Sequence, residues 1–169
     1  MNDNYLLKLY HKFESIPFGK LIFAFMFARK APYFSTISPR IQTLRPNFCE
    51  LTFAKRRKVE NHIGTVHVIA ICNGMEMAMG ALAEASIPKH LRWIPKGMQV
   101  NYTAKASSDM RITAEACAED WKPGELPVTV KAYRDDGTVV VEGIITLHIS
   151  LKPPPSEADL SAATSSLHR

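Results

Sequence analysis

The stretch Asn61-His62-Ile63-Gly64-Thr65-Val66-His67-Val68-Ile69-Ala70-Ile71-Cys72-Asn73-Gly74-Met75-Glu76-Met77-Ala78-Met79-Gly80-Ala81-Leu82-Ala83 decides the architecture. From Val66 to Ala83 the only clearly polar side chains are His67, Asn73 and Glu76. A helix that is apolar on nearly every face belongs inside a protein, so Thr65 to Ala85 reads as a buried central helix. Its length approaches that of a bilayer span. The embedded Glu76, two glycines and the strands that follow favour a core helix instead. Met75, Met77 and Met79 suit packing against a curved surface, because methionine fills irregular gaps.

Strands flank this helix. Upstream, Ile41 and Leu44 precede a turn at Arg45-Pro46-Asn47, and Cys49, Leu51 and Phe53 then alternate with Glu50 and Thr52. That period of two marks a strand with one buried face. Downstream, Pro88 and Pro95 bracket a connection. Alternation resumes at Met98, Val100 and Tyr102, then at Met110, Ile112 and Ala114, then at Val128, Val130 and Ala132. Asp135-Asp136-Gly137 is a hairpin signal leading into Val139 to Leu151. The order predicts an α+β fold in which five or six antiparallel strands wrap one helix, the last four as a meander.

Outside that unit, residues 1–37 read as a helical segment, 38–151 as the main domain and 152–169 as a disordered tail containing Pro153-Pro154-Pro155. Leu6, Leu9, Tyr10 and Phe13 recur at helical spacing, and Leu21, Phe23, Phe25, Met26 and Phe27 follow. Lys8, His11, Lys12, Lys20, Arg29 and Lys30 decorate the segment. Two readings stand: amphipathic helices docked on the domain or a partner subunit, or a basic interfacial segment touching a membrane surface.

Composition bounds the class. The chain has 169 residues, 46% hydrophobic and 22% charged. Those values exclude a collagenous or wholly disordered chain. Net charge is +5, unevenly placed: residues 1–58 hold eleven Lys/Arg against three acids, residues 59–169 ten against thirteen. Cys49, Cys72 and Cys117 are widely spaced and form no metal-ligand pattern, so three buried thiols in a reducing, cytoplasmic setting are expected and no metal. The opening Met1-Asn2-Asp3-Asn4 lacks a basic region ahead of an apolar core, which argues against secretion. No nucleic-acid partner is expected.

Glu76 is the candidate for chemistry. A carboxylate in an apolar helix must be paired, exposed at a cleft, or raised in pKa, and a raised carboxylate serves as a general base near neutral pH. The helix start, Gly64 to Val68, offers unpaired backbone N–H groups suited to an oxyanion or phosphate. Asn61 and His67 flank that end. The run Lys55-Arg56-Arg57-Lys58 is either a solvated strand end or a phosphate-binding rim.

Asn61 and His67 lie six residues apart, and Glu76 follows His67 by nine. This Asn-x-x-Gly-x-x-His pattern with its later acid resembles the signature of hotdog-fold acyl-CoA thioesterases of the phenylacetate-pathway type, over residues 38–150. Asn61, Gly64, Thr65, His67 and Glu76 fall on the pattern. The resemblance implies a hotdog fold, a site between two subunits of a homodimer or higher oligomer, and an acyl-CoA or acyl carrier protein thioester as substrate. CoA would be part of that substrate, with no separate cofactor. It further implies Glu76, Asn61 and His67 as catalytic residues, with Gly64, Thr65, Val68, Arg56 and Arg57 binding substrate. One departure is clear: His-Gly-Gly is usual in the family, and here His67-Val68-Ile69 stands. The chain is therefore closer to a thioesterase-like branch than to the proven enzymes. A non-catalytic acyl- or lipid-binding hotdog module is the alternative. His62 to Glu76 also has the fourteen-residue spacing of hotdog hydroxyacyl dehydratases, but without the prolines those enzymes carry between the two.

Helix geometry suits a shared site. Nine residues at about 100° each place His67 and Glu76 about 180° apart around the axis. Such residues are poor partners within one chain and can face each other across two.

Overall fold

A computed structural model describes residues 4–153. Two helices open the chain, α1 (Tyr5–Glu14) and α2 (Gly19–Lys30), followed by a 3-10 turn at Pro32–Ile37. Strands β1 (Arg40–Arg45) and β2 (Phe48–Phe53) form a hairpin, and the long helix α3 (Val68–Ser86) comes next. Then come β3 (Leu91–Tyr102), β4 (Met110–Glu115), β5 (Gly124–Tyr133) and β6 (Val139–Leu151). The expected tail from Lys152 is described only as far as Pro153; the rest lies outside the described residues.

All six strands form one antiparallel sheet in the order β1-β2-β4-β5-β6-β3, with α3 packed on its concave face. The architecture is the α+β hotdog, helix inside and sheet around it. Inward residues of the strands (Leu51, Phe53, Ile112, Ala114, Val128, Val130, Ile145 and Leu147) are buried, as period-two alternation demands. Ile71, Met75, Met79 and Leu82 of α3 meet them, each no more than 1% exposed. Contact with the sheet is close: a Cβ on Gly74 would lie 2.5 Å from Ile112 Cδ1. α3 is long and apolar enough to cross a membrane by composition, yet about two-thirds of it is buried within the fold.

Three expectations needed correction. The last four strands are not a meander. β4, β5 and β6 are consecutive neighbours, but β3 pairs with β6 along its whole length, from Leu91 opposite Leu151 to Tyr102 opposite Val141. β4 instead inserts beside β2, which joins the strands before and after α3 into one sheet. Second, β3 begins at Leu91 and runs through Pro95. A proline without an N–H is tolerated there because β3 is an edge strand of this chain's sheet, and the ladder shifts register between Pro95 and Gly97. Third, α3 starts at Val68 and not at Thr65. Val66 bridges to Glu60 and its N–H bonds Ala106 O at 2.8 Å, while the His67 N–H bonds Val59 O at 2.8 Å. Those β-type bonds hold the chain extended until His67 caps the helix.

The helical segment packs on β1 and the end of α3. Asn4 caps α1 by accepting from the Leu6 and Leu7 N–H groups at 2.9 and 3.3 Å. Tyr10, Phe23 and Phe27 form the inner aromatic layer, Tyr10 and Phe23 edge-to-face at 5.3 Å. Tyr10 and Lys20 both donate to Gln42 O, tying the two helices to β1.

Candidate active site

The α3 N-terminus is assembled by the turn that precedes it. Asn61 Oδ1 accepts from the Ile63 and Thr65 N–H groups, each at 3.1 Å, and Asn61 Nδ2 donates to Thr65 Oγ1 at 2.8 Å. Gly64 takes a left-handed conformation, φ 75°, which a glycine adopts without steric penalty. Asn61, Gly64 and Thr65 therefore hold one tight turn. Asn61 is committed to that turn on both sides of its amide, and His62 sits exposed on the outside of it.

His67 caps α3 through its ring: the Ile69 N–H donates to His67 Nδ1 at 3.1 Å. An accepting Nδ1 carries no proton, so the neutral ring has its hydrogen on Nε2, free to donate. Among the described residues nothing takes the Val68 N–H. The Val68 side chain is half-buried and packs against the core. The branch in place of glycine is turned inward, and its N–H is left unpaired at the positive end of a 19-residue helix.

Glu76 lies eight residues along α3, about 12 Å further down the axis. It is exposed on a helix whose neighbours Gly74, Met75, Met77 and Ala78 are buried. Its carboxylate opens into a cleft of about 240 Å³ bordered by Pro95, Lys96, Gly97, Met98 and Ile145. Among the described residues Glu76 has no hydrogen bond or ion pair, while Lys96 is bonded to Glu125. The carboxylate is thus exposed at a cleft. Burial pushes up the thiol of Cys72, one turn before it, and the Glu76 charge adds to the effect. Asn61, Gly64, Thr65, His67 and Val68 thus converge at one end of α3, and Glu76 stands apart from them within the chain.

The basic run divides. Lys55 pairs with Glu60 at 2.7 Å. Arg56 and Arg57 are exposed, and Arg57 begins a 3-10 turn instead of ending a strand. Arg56 joins Arg40, Arg111 and Arg134 around a groove of about 770 Å³, which Asp109 and Asp135 also border. Glu50 holds Arg111 at 3.2 Å and Asp136 holds Arg134 at 2.7 Å. Sequence reasoning missed Arg40, Arg111 and Arg134. They come from β1, β4 and the β5–β6 turn, and no local pattern announces that the sheet collects them at one end.

Residues 19–149 match the family described as Domain of unknown function (DUF4442). The chain belongs to that family. Among solved structures, a crystal structure from a genomics programme is 43% identical to this DUF4442 protein, with a TM-score of 0.77, covering 88% of this chain and 99% of the other. A Pseudomonas aeruginosa protein of unknown function, described as a probable thioesterase, is 21% identical at a TM-score of 0.70, covering 81% and 97%. A thioesterase family protein from Silicibacter pomeroyi is 23% identical at a TM-score of 0.66, covering 79% and 97%. The last two likenesses establish the hotdog fold. No curated protein matches the chain.

Proposed function

We propose that this DUF4442 protein hydrolyses an acyl thioester of CoA or acyl carrier protein at a site shared by two copies of the chain. The observation that carries the reading is Glu76, a carboxylate without a partner among the described residues, exposed at a cleft midway along a mostly buried helix. Exposing a charged side chain on a core helix has no packing benefit, so a chemical use is the economical reason for it. The Val68 N–H supplies the second half. An unpaired N–H at a helix start stabilises the oxyanion that forms when a thioester carbonyl is attacked. His67 Nε2–H stands beside it, and the turn of Asn61, Gly64 and Thr65 positions both.

The two halves are about 12 Å apart along one helix, too far to act on one carbonyl. A two-fold dimer resolves this by bringing the α3 start of one copy to Glu76 of the other. Glu76 then either activates water or attacks the carbonyl, and the thiol leaves. Fold likeness to proteins named thioesterases supports this reaction class.

Arg56 and Arg57 precede Asn61 by five and four residues and are exposed. We assign them to the phosphates of CoA, as guanidinium groups pair with phosphate oxygens in two parallel bonds. The Arg56→Ala/Arg57→Ala variant should bind CoA more weakly at low salt and match wild type at high salt, since exposed charges are screened.

A panel of acyl-CoAs from short to long chain, with release of free CoA thiol as the readout, tests the reading. Turnover on at least one member is expected, together with a solution mass of two chains by light scattering. Tight acyl-CoA binding without turnover would instead make the protein an acyl-binding module.

A further inference from the structure

α2 is apolar on both sides, and only one side is covered. Phe23, Ala24 and Ala28 are buried against α1 and β1. Phe18, Leu21, Ile22, Phe25 and Met26 point to solvent, between 42% and 82% exposed. At 100° per residue Leu21, Ile22, Phe25 and Met26 fall within one stripe of the helix, and Arg29 lies on the same stripe. Its guanidinium sits 5.8 Å from the centroid of the Phe25 ring. Ile16, just before the helix, is also exposed. Contiguous apolar surface of this kind marks an interaction site and not a random scatter of exposed residues.

Phe18 adds a second observation. It starts α2 in a left-handed conformation, φ 59°, which a bulky residue rarely adopts. Its ring is the most exposed large apolar side chain among the described residues, at 82%. The fold thus holds a strained phenylalanine with its ring in water.

We propose that this face of α2 docks on the surface of an anionic phospholipid bilayer. Three features select the occupant. Between residues 4 and 49 there are seven Lys/Arg and a single acid, Glu14, which is already paired with Lys20 at 3.0 Å. An apolar stripe that carries Arg29, on a segment with this excess of cations, matches a negatively charged headgroup layer over hydrocarbon. A second copy of the chain is disfavoured, because a two-fold contact would bring Arg29 and this cation-rich segment against their own copies. Finally, α2 has 12 residues, about 18 Å, which is too short to span a bilayer and suited to lying in its interface.

The test is co-sedimentation of the full chain with vesicles of phosphatidylcholine alone or with about one-third phosphatidylglycerol, at low and high salt. Partitioning onto the anionic vesicles should exceed that onto neutral ones by about tenfold or more, and should weaken with salt. The Ile22→Gln/Phe25→Gln variant should lose about tenfold or more of that partitioning, with melting temperature, solution mass and turnover of a soluble short-chain substrate all unchanged. Absence of binding to anionic vesicles overturns the proposal, as does equal binding by variant and wild type. A fall in the solution mass of the variant also overturns it, since the face would then be a protein interface.

Discussion

α2 and α3 are both helices built almost wholly of apolar residues, yet their surroundings differ. α3 is enclosed by the sheet, and its exposed polar positions are few and specific. α2 has one covered face and one bare one. The contrast teaches that apolar composition alone does not say what will cover a helix. In α3 the exposed residues are Ile69, Glu76 and Glu84, and Glu76 opens at a cleft. In α2 the exposed part is a whole hydrophobic face, and each points to a different kind of partner.

The sharpest way to break the comparison is to truncate matched side chains on the two helices. Leu82→Ala in α3 removes a fully buried side chain and should cost about 2–5 kcal/mol in denaturant unfolding. Phe25→Ala in α2 removes a larger side chain that is 58% exposed, and should stay within about 0.5 kcal/mol. Equal costs would mean that the α2 face is covered in the isolated protein.

Gly19→Ala probes the corner that sets α2 in place. A Cβ there would meet Phe13 O at 1.7 Å, so the α1–α2 corner must open. A loss of about 1–3 kcal/mol is expected by thermal or chemical denaturation, typical of forced overpacking.

The two exposed glutamates of α3 make a smaller, more selective comparison. Glu84 Oε1 accepts from Trp93 Nε1–H at 2.9 Å, so Glu84→Gln should lower stability by about 1 kcal/mol or less. Glu76→Gln breaks no observed contact and should leave the melting temperature unchanged, while its effect appears in turnover.

The smallest effect is expected outside both helices, in the β5–β6 turn. Asp136 accepts from the Thr138 N–H at 2.9 Å, and this bond together with Arg134 lowers its pKa to about 2. Its contribution is present above the unfolded carboxylate range, near 4, and is lost as pH falls through about 2. Asp136→Asn should therefore lower the melting temperature slightly at neutral pH, with the difference vanishing in strong acid.

Much of this was legible in the sequence because it is local. The 18 residues from Val66 to Ala83 contain so few polar groups that only a buried helix fits them. The alternation in β2, β4 and β5 is equally direct, and so is the Asp135-Asp136-Gly137 turn. Chain order in the sheet was not legible. Nothing around Met110 says that β4 will pair with β2 and not with β3, because that choice depends on where the chain returns after α3. The start of β3 is hidden by Pro95, which cannot donate to a ladder and reads as a connection. The extended backbone at Thr65 to His67 has no local signal, because the carbonyls that hold the Val66 and His67 N–H groups belong to Ala106 and Val59. The arginine groove has the same character: four residues from distant segments meet only in three dimensions. For the candidate site, the spacing of Asn61, His67 and Glu76 singled out the residues. The free Val68 N–H and the inward Val68 side chain became visible only with the backbone in place.

The central claim is a shared site that uses Glu76 from one copy and the Val68 N–H from another, and mixing two inactive variants tests it most directly. Glu76→Gln removes the carboxylate. Val68→Pro removes the N–H at the first helical position, where proline is tolerated, and His67 at φ −65°, ψ 133° already has the extended conformation preferred before proline. Each variant alone should lose about 10²-fold or more of thioester turnover. Co-expressed in equal amounts, the two should form mixed dimers with one intact site in each, restoring about a quarter of wild-type turnover. Turnover of the mixture no higher than that of either variant alone would contradict the account.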